Sequence, residues 1–240
     1  MSYDPAYGYE IAHIVRSGLD RMYGGNHPDP NVMYYITVYN EPLVMPAEPE
    51  GVDVDGIVRG IHRISSPEGE GPRAQLLASG VGVLWALEAQ KLLRDDWGVQ
   101  ADVWSVTSWT ELRRDGLAAD EHNFLHPQDG PRTAYITDKL RDAAGPVIAV
   151  SDFMHAVQDQ IRPWVPNRFA TLGAEGFGFS DTRAAARRFF KIDGPSVVVR
   201  TLQALAEDGV VDRGLAAQAI DRYRLHDVSA GTSGNAGGES

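Results

Sequence analysis

Several groups of residues have types and spacings that could do chemistry. Ser79-Gly80-Val81-Gly82 follows a short apolar run and opens a helical pattern, the setting of a glycine-rich dinucleotide turn. Trp85 occupies the third glycine position of that fingerprint, and the next strand does not end in an acid that could hold a ribose. The stretch is therefore read as a tight strand-to-helix turn and dinucleotide binding is rejected. His122 and His126 stand at the helical spacing of zinc ligands, but Asn123, Phe124 and Leu125 between them supply no general base and Pro127 follows at once, so no metal ligand is assigned. Asp152 and His155 have the spacing of an acid–base pair. Capping of the next helix by Ser151 or Asp152 explains them equally well and is favoured. Gly173 to Ser180 could receive a phosphate at the start of the following helix, or could let two backbones approach closely. The tyrosines Tyr3, Tyr7, Tyr9, Tyr23, Tyr34, Tyr35 and Tyr39 are read as packing against a neighbouring domain or subunit, with a cofactor-stacking wall as the sharper alternative.

The elements that must position these residues centre on the stretch from Gly71 to Val106. Ala74 to Ala78 is an apolar run, Val83, Leu84, Leu87, Ala89, Leu92 and Leu93 recur at helical spacing, and Asp102 to Thr107 returns to a strand pattern. This is one βαβ crossover, which joins parallel neighbours and predicts an open parallel sheet covered by helices. Before it, a helix begins at Tyr3-Asp4-Pro5-Ala6 with Ile11, Ile14, Val15, Gly18, Leu19 and Met22 on its apolar face, and Asn31 to Tyr39 is a uniformly apolar, buried strand. One helix and one strand cannot make a core, so this segment packs on a sheet outside the chain or adds to the sheet that follows. Asn40 to Gly51 is proline-rich and stiff, and reads as a linker leading to a short helix over Val54 to Ile64. Beyond Thr107 come a helix over Ser108 to Arg114 with a capping box, a helix from Tyr135 to Ala143, a strand over Pro146 to Val150 and a helix over Asp152 to Arg162. Phe169 to Leu172 is a strand, followed by helices over Asp181 to Phe190 with Ser180 as N-cap, Ser196 to Glu207 and Gly214 to Tyr223. Val228 to Ser240 has almost no apolar content and reads as disordered.

The 240 residues are 43% hydrophobic, enough for one large or two small domains. A formal net charge of -11 repels both a nucleic-acid backbone and an anionic membrane surface. No apolar run reaches the length of a membrane span, and no basic-then-apolar leader opens the chain, which is read as cytoplasmic. Cysteine is absent, which excludes disulfides, thiolate catalysis and thiolate metal sites.

Ser2-Tyr3-Asp4-Pro5-Ala6-Tyr7, Gly18-Leu19-Asp20-Arg21-Met22-Tyr23, Tyr34-Tyr35-Ile36-Thr37, Asn40-Glu41 and Met45-Pro46 resemble the C-terminal part of the homodimeric type of pyruvate dehydrogenase E1. Asp102 to Ser108, His126-Pro127, Ser151-Asp152-Phe153-Met154 and Gly176 to Asp181 match that family in the same order, and the collinearity covers nearly everything but the tail. The resemblance implies an α/β fold: a three-layer, mostly parallel open sheet of the transketolase C-terminal-domain type, preceded by the last helix and strand of a pyrimidine-binding domain. Residues 1–41 would end that pyrimidine domain, 42–72 would be linker and short helix, 73–227 the C-terminal domain and 228–240 the tail.

It further implies a homodimeric enzyme that uses thiamine diphosphate and Mg2+ to decarboxylate pyruvate and reductively acetylate the lipoyl group of its E2 dihydrolipoyl acyltransferase partner. Tyr3 and Tyr7 match aromatic positions that help wall the pyrimidine pocket, and Val44 stands where some members carry a substrate-handling histidine. The magnesium-diphosphate signature of the family, Gly-Asp-Gly with a distant asparagine, is missing, and its activating glutamate would lie upstream of Met1. The chain is thus expected to be a fragment without a complete active site and with no catalytic residue of its own. A non-catalytic dimerisation or docking module of the same fold is the alternative. An even reading of the Gly176 to Ser180 loop tips, in this plan, toward a structural or interfacial role.

Overall fold

A computed structural model describes residues 1–25 and 28–232. The chain begins with β1 (Ser2–Tyr3), α1 (Gly8–Tyr23) and β2 (Tyr35–Ile36), and β1 pairs with β2 in parallel. Then follow α2 (Val54–Arg59), β3 (His62–Ser65), β4 (Arg73–Ala78), α3 (Gly82–Trp97), β5 (Gln100–Ser105), α4 (Trp109–Leu125), α5 (Tyr135–Leu140) and β6 (Val147–Val150). The last elements are α6 (His155–Asp159), β7 (Phe169–Leu172), α7 (Arg183–Phe190), α8 (Gly194–Glu207) and α9 (Gly214–Arg222), with single 3-10 turns at Arg162–Trp164 and Val228–Ala230.

The main sheet has the order β3-β5-β4-β6-β7, with β4, β5, β6 and β7 parallel and β3 antiparallel at one edge. Strands β4 to β7 are buried almost throughout because both faces are covered, and their alternate apolar residues feed two cores. Leu76, Ala78, Val103, Ile148 and Val150 face a core completed by α3 and α8, through Leu93 and Leu202 among others. Leu77, Trp104, Val147 and Ala149 face the opposite core, completed by Leu112 of α4 and Ile136 and Leu140 of α5. This is the expected α/β fold with a mostly parallel open sheet and helices on both sides.

Several local expectations are corrected. The first helix starts at Gly8, because Ser2–Tyr3 is spent on pairing with β2 and Pro5 follows. The strand expected over Asn31 to Tyr39 shrinks to Tyr35–Ile36, and Met33, Tyr35 and Val38 are exposed, so this stretch is not buried within the chain. The helix expected to reach Ile64 stops at Arg59. Gly60 turns the chain with φ +111, where a side chain is strained, and an added Cβ would sit 2.6 Å from the Ser108 carbonyl. The residues after that turn become β3, so the stretch read as linker supplies an edge strand of the main sheet. In the opposite sense, α4 outruns its expected end and reaches Leu125 from its Ser108 cap, whose hydroxyl accepts from the Glu111 amide. Thr182, not Ser180, caps α7 by accepting from the Ala185 amide. In the tail, Val228–Ala230 is ordered and Thr232 donates to Glu88. Residues 233–240 lie outside the described residues.

The N-terminal segment docks at the carboxyl end of the sheet that follows it without adding a strand to it, since β1 and β2 form a two-stranded sheet of their own. The Asp4 amide donates to the Thr107 carbonyl at 2.7 Å, and the Gly80 amide donates to the Asp4 carbonyl at 3.0 Å. Fully buried Glu10 accepts from the amides of Ala6 and Tyr7 and lies 2.6 Å from Nε2 of fully buried His62 on β3. Ala6 and Tyr7 enter the α3-side core. Residues 1–23 and the sheet are thereby interlocked through backbone and side-chain hydrogen bonds and apolar contacts.

Candidate site at the carboxyl end of the sheet

The connections from β4 go to β5 on one side and those from β6 to β7 on the other, so the strand order reverses between β4 and β6. The crevice outside the carboxyl ends of two such strands is where open parallel sheets place ligands. Here it is bordered by Ser79-Gly80 after β4 and Ser151-Asp152 after β6, and the N-terminal segment reaches into it. Asp4, 5% exposed, accepts through Oδ1 from the hydroxyl of Thr37 and from that of Tyr39 at 2.7 Å. Asp152 Oδ1 stands 3.4 Å from the same phenol oxygen. Oδ2 of Asp4 and the hydroxyl of Ser79 are buried and have no hydrogen-bond partner among the described residues.

The glycine-rich turn is filled by protein. Gly80 has φ +51, and a Cβ there would overlap the Tyr39 hydroxyl, while a Cβ on Gly82 would come within 3.1 Å of the Val150 carbonyl. These glycines admit Tyr39 and β6, as the reading of a tight strand-to-helix turn requires.

Asp152 and His155 do not meet as an acid–base pair. Asp152 turns to Tyr39, whereas the His155 ring lies 3.0 Å from the Thr171 hydroxyl and its amide donates to Glu175 at 2.7 Å. The favoured reading of a cap is also corrected. Met154 occupies the N-cap of α6 with no side-chain cap, and the Ser151 hydroxyl accepts from the Phe153 amide instead. Burial first, and the charge of Asp4 second, raise the Asp152 carboxyl above the usual range, against the pull of Tyr39 and Arg187.

His122 and His126 stack with ring centroids 4.8 Å apart, and among the described residues no cluster of three or more His, Asp or Glu is grouped to hold a metal ion. In the Gly173 to Ser180 loop, Phe177 is 97% exposed, Phe179 stacks on Phe189 at 4.4 Å, and Gly173 allows the backbone to pass the Phe153 carbonyl, where a Cβ would come within 2.6 Å.

Tyr3 and Tyr7 are 2% and 7% exposed. The Tyr3 hydroxyl donates to the Val58 carbonyl at 2.8 Å and its ring stacks on Tyr34, while Tyr7 stacks on Tyr9. Burial raises both phenols, Tyr7 to about 12 with Glu10 contributing. The structure also joins residues that no local pattern singled out. Glu41 pairs with Arg187 of α7, whose buried guanidinium lies 5.0 Å over the Trp85 ring. This clamp fixes the segment after Tyr39 above an apolar cavity of about 160 Å3, lined by Ile11, Tyr39, Leu43, Met45, Val81 and Leu84. Val44, between two of those residues, faces solvent. The only sequence signal for the clamp was the Asn40-Glu41 motif.

The sheet order, its two helical layers and a match of residues 60–193 to the model of the transketolase-like TK C-terminal domain place the chain in that family. Solved transketolases share the fold: the enzyme from Campylobacter jejuni superposes with a TM-score of 0.55 at 20% identity, covering 84% of this chain and 26% of that one. The enzyme from Leishmania mexicana gives 0.54 at 15% identity, covering 88% and 26%. Within the family, residues 1–46 match the pyruvate dehydrogenase E1 component middle domain, and the chain corresponds to the C-terminal part of pyruvate dehydrogenase E1 components. It is 56% identical over 232 residues to that of Mycolicibacterium smegmatis, 54% over 231 to that of Mycobacterium tuberculosis and 44% over 226 to that of Escherichia coli K12. It covers 94–96% of its own length in these matches and 25% of each relative.

Proposed function

We propose that this chain acts as the C-terminal portion of a homodimeric pyruvate dehydrogenase E1, an enzyme that uses thiamine diphosphate and Mg2+ to decarboxylate pyruvate and reductively acetylate the lipoyl group of an E2 dihydrolipoyl acyltransferase. The observation that carries this reading is the interlock of two units that match the same enzyme. The end of a middle domain is bolted to the C-terminal sheet through Asp4, Glu10 and His62, and both match E1 components in order. Such a joint holds the middle domain in a fixed attitude, and that is the part assigned to this chain.

The residues described here do not by themselves fit the cofactor. No metal-ligating cluster is grouped among them, and Tyr3 and Tyr7 have almost no exposed ring face to offer a pyrimidine. In this proposal the two tyrosines support a pocket wall from behind, Tyr3 through its hold on Val58 and Tyr7 through the core, and the diphosphate and metal are held by residues outside the chain.

Isothermal titration of the chain with thiamine diphosphate and Mg2+ should give no saturable heat at millimolar cofactor. A polypeptide that joins the chain to the diphosphate-binding half of a relative should catalyse pyruvate-dependent dye reduction. Tight binding by the chain alone overturns the assignment of the cofactor site elsewhere. A joined polypeptide that binds cofactor yet leaves pyruvate untouched overturns the E1 reading in favour of a docking module.

A further inference from the structure

The crevice where the strand order reverses is closed by the chain's own Tyr39, and the atoms around its hydroxyl raise a question of proton count. Two carboxylates, Asp4 and Asp152, point an oxygen at one phenol, which has a single proton to give. Asp4 takes it at 2.7 Å, on the same Oδ1 that accepts from Thr37. The side of the phenol oxygen facing Asp152 is then a lone pair, and an ionised Asp152 would set lone pair against lone pair with the charge of buried Asp4 just behind.

We propose that Asp152 holds a proton and donates it to the Tyr39 oxygen, so that Asp152, Tyr39 and Asp4 form a one-way hydrogen-bonded relay that latches residues 37–45 over the apolar cavity. Asp152 retains an exposed outer edge, so it exchanges its proton with bulk water, whereas Asp4 behind it is buried. The latch therefore reads external pH through the outer carboxyl. The charged and titratable groups facing Asp152 are Asp4 and Tyr39 of the N-terminal segment and Arg187 of α7. Arg187 is already engaged with Glu41 and Trp85, so it holds the far end of the same segment. The folded chain binds more proton at Asp152 than the unfolded chain does. The latch is thus fully formed below the ordinary carboxylate pKa and weakens as pH rises through the raised one.

The test is a carbon-13 titration of the Asp152 side-chain carboxyl in the whole chain, with amide exchange read at Thr37, whose N–H donates to the Tyr3 carbonyl at 3.0 Å. Asp152 should titrate above an ordinary aspartate. Protection of Thr37, corrected for intrinsic exchange, should fall by about tenfold per pH unit between the ordinary and the raised midpoint. In Asp152→Asn the amide supplies a permanent donor, and protection should stay high across that range. An Asp152 midpoint at the ordinary aspartate value overturns the latch, as does a loss of protection in Asp152→Asn that follows the wild type. Should that variant fail to fold, the wild-type carboxyl midpoint decides the matter alone.

Discussion

Glu10 accepts from two backbone amides and from His62 while carrying no exposed surface, so one side chain joins the start of α1, the turn before it and β3. Truncating one member of a fully buried pair strands the other, which costs about 3–5 kcal/mol where no water can replace the partner. His62→Ala should lower the chain's stability by about that amount in urea unfolding, and the loss should exceed that of His13→Ala, whose Glu48 partner is partly exposed. Equal losses in the two variants would mean that the Glu10 pair is not the joint described here. Gly80 is demanding for a different reason. Gly80→Ala would combine a left-handed backbone with overlap on the Tyr39 hydroxyl, at a cost of about 2 kcal/mol or more.

Gly60 acts on a whole element. Its left-handed conformation ends α2 and lets the chain return as β3 beside β5, with the Gly60 carbonyl accepting from the Ser108 amide. A side chain at this position must move the start of α4 as well as adopt a strained φ. Gly60→Val should therefore destabilise by more than the about 1–2 kcal/mol of a left-handed residue alone, and amide protection along His62–Ser65 should drop before that of β4. Uniform loss of protection across all five strands would show that β3 does not depend on this turn. A smaller element-scale effect belongs to α7, where Thr182→Ala removes the cap on the Ala185 amide at a cost of about 1 kcal/mol.

At the scale of the whole molecule, the two faces of the sheet feed separate hydrophobic cores among the described residues. Leu76 and Leu77 are adjacent, both fully buried, and serve opposite sides. Leu76→Ala and Leu77→Ala should each cost about 2–5 kcal/mol, and the double variant should lose close to the sum, since the side chains share no cavity. A strong departure from additivity, measured by denaturant unfolding, would mean that the sheet transmits strain between its layers. The exposed apolar residues behave otherwise. Val15 and Leu19 of α1 and Tyr35 of β2 face outward here, so the apolar face read from α1 is only partly used within the chain, with Ile14 and Gly18 buried and Ile11 lining the cavity.

The α/β class, the parallel order around the central crossover and most helix and strand cores were legible because they depend on local periodicity, and in a sheet covered on both faces that periodicity is nearly unbroken from Ala74 to Ala78 and from Val147 to Val150. The resemblance also read correctly, since ordered motifs survive in sequence wherever they lie in space. What failed was whatever a distant partner decided. Val54 to Ile64 looked like one helix until Ser108 made Gly60 turn, and Asp152 looked like a cap until Tyr39, more than a hundred residues earlier, took its carboxyl. Glu41 with Arg187 and Glu10 with His62 are likewise pairs whose members are ordinary charges in their own neighbourhoods. Sequence alone determined most of the central elements because backbone hydrogen bonds and apolar period are local. Only the tertiary structure decided the site, because burial and the pairing of charges are properties of what folds up beside them.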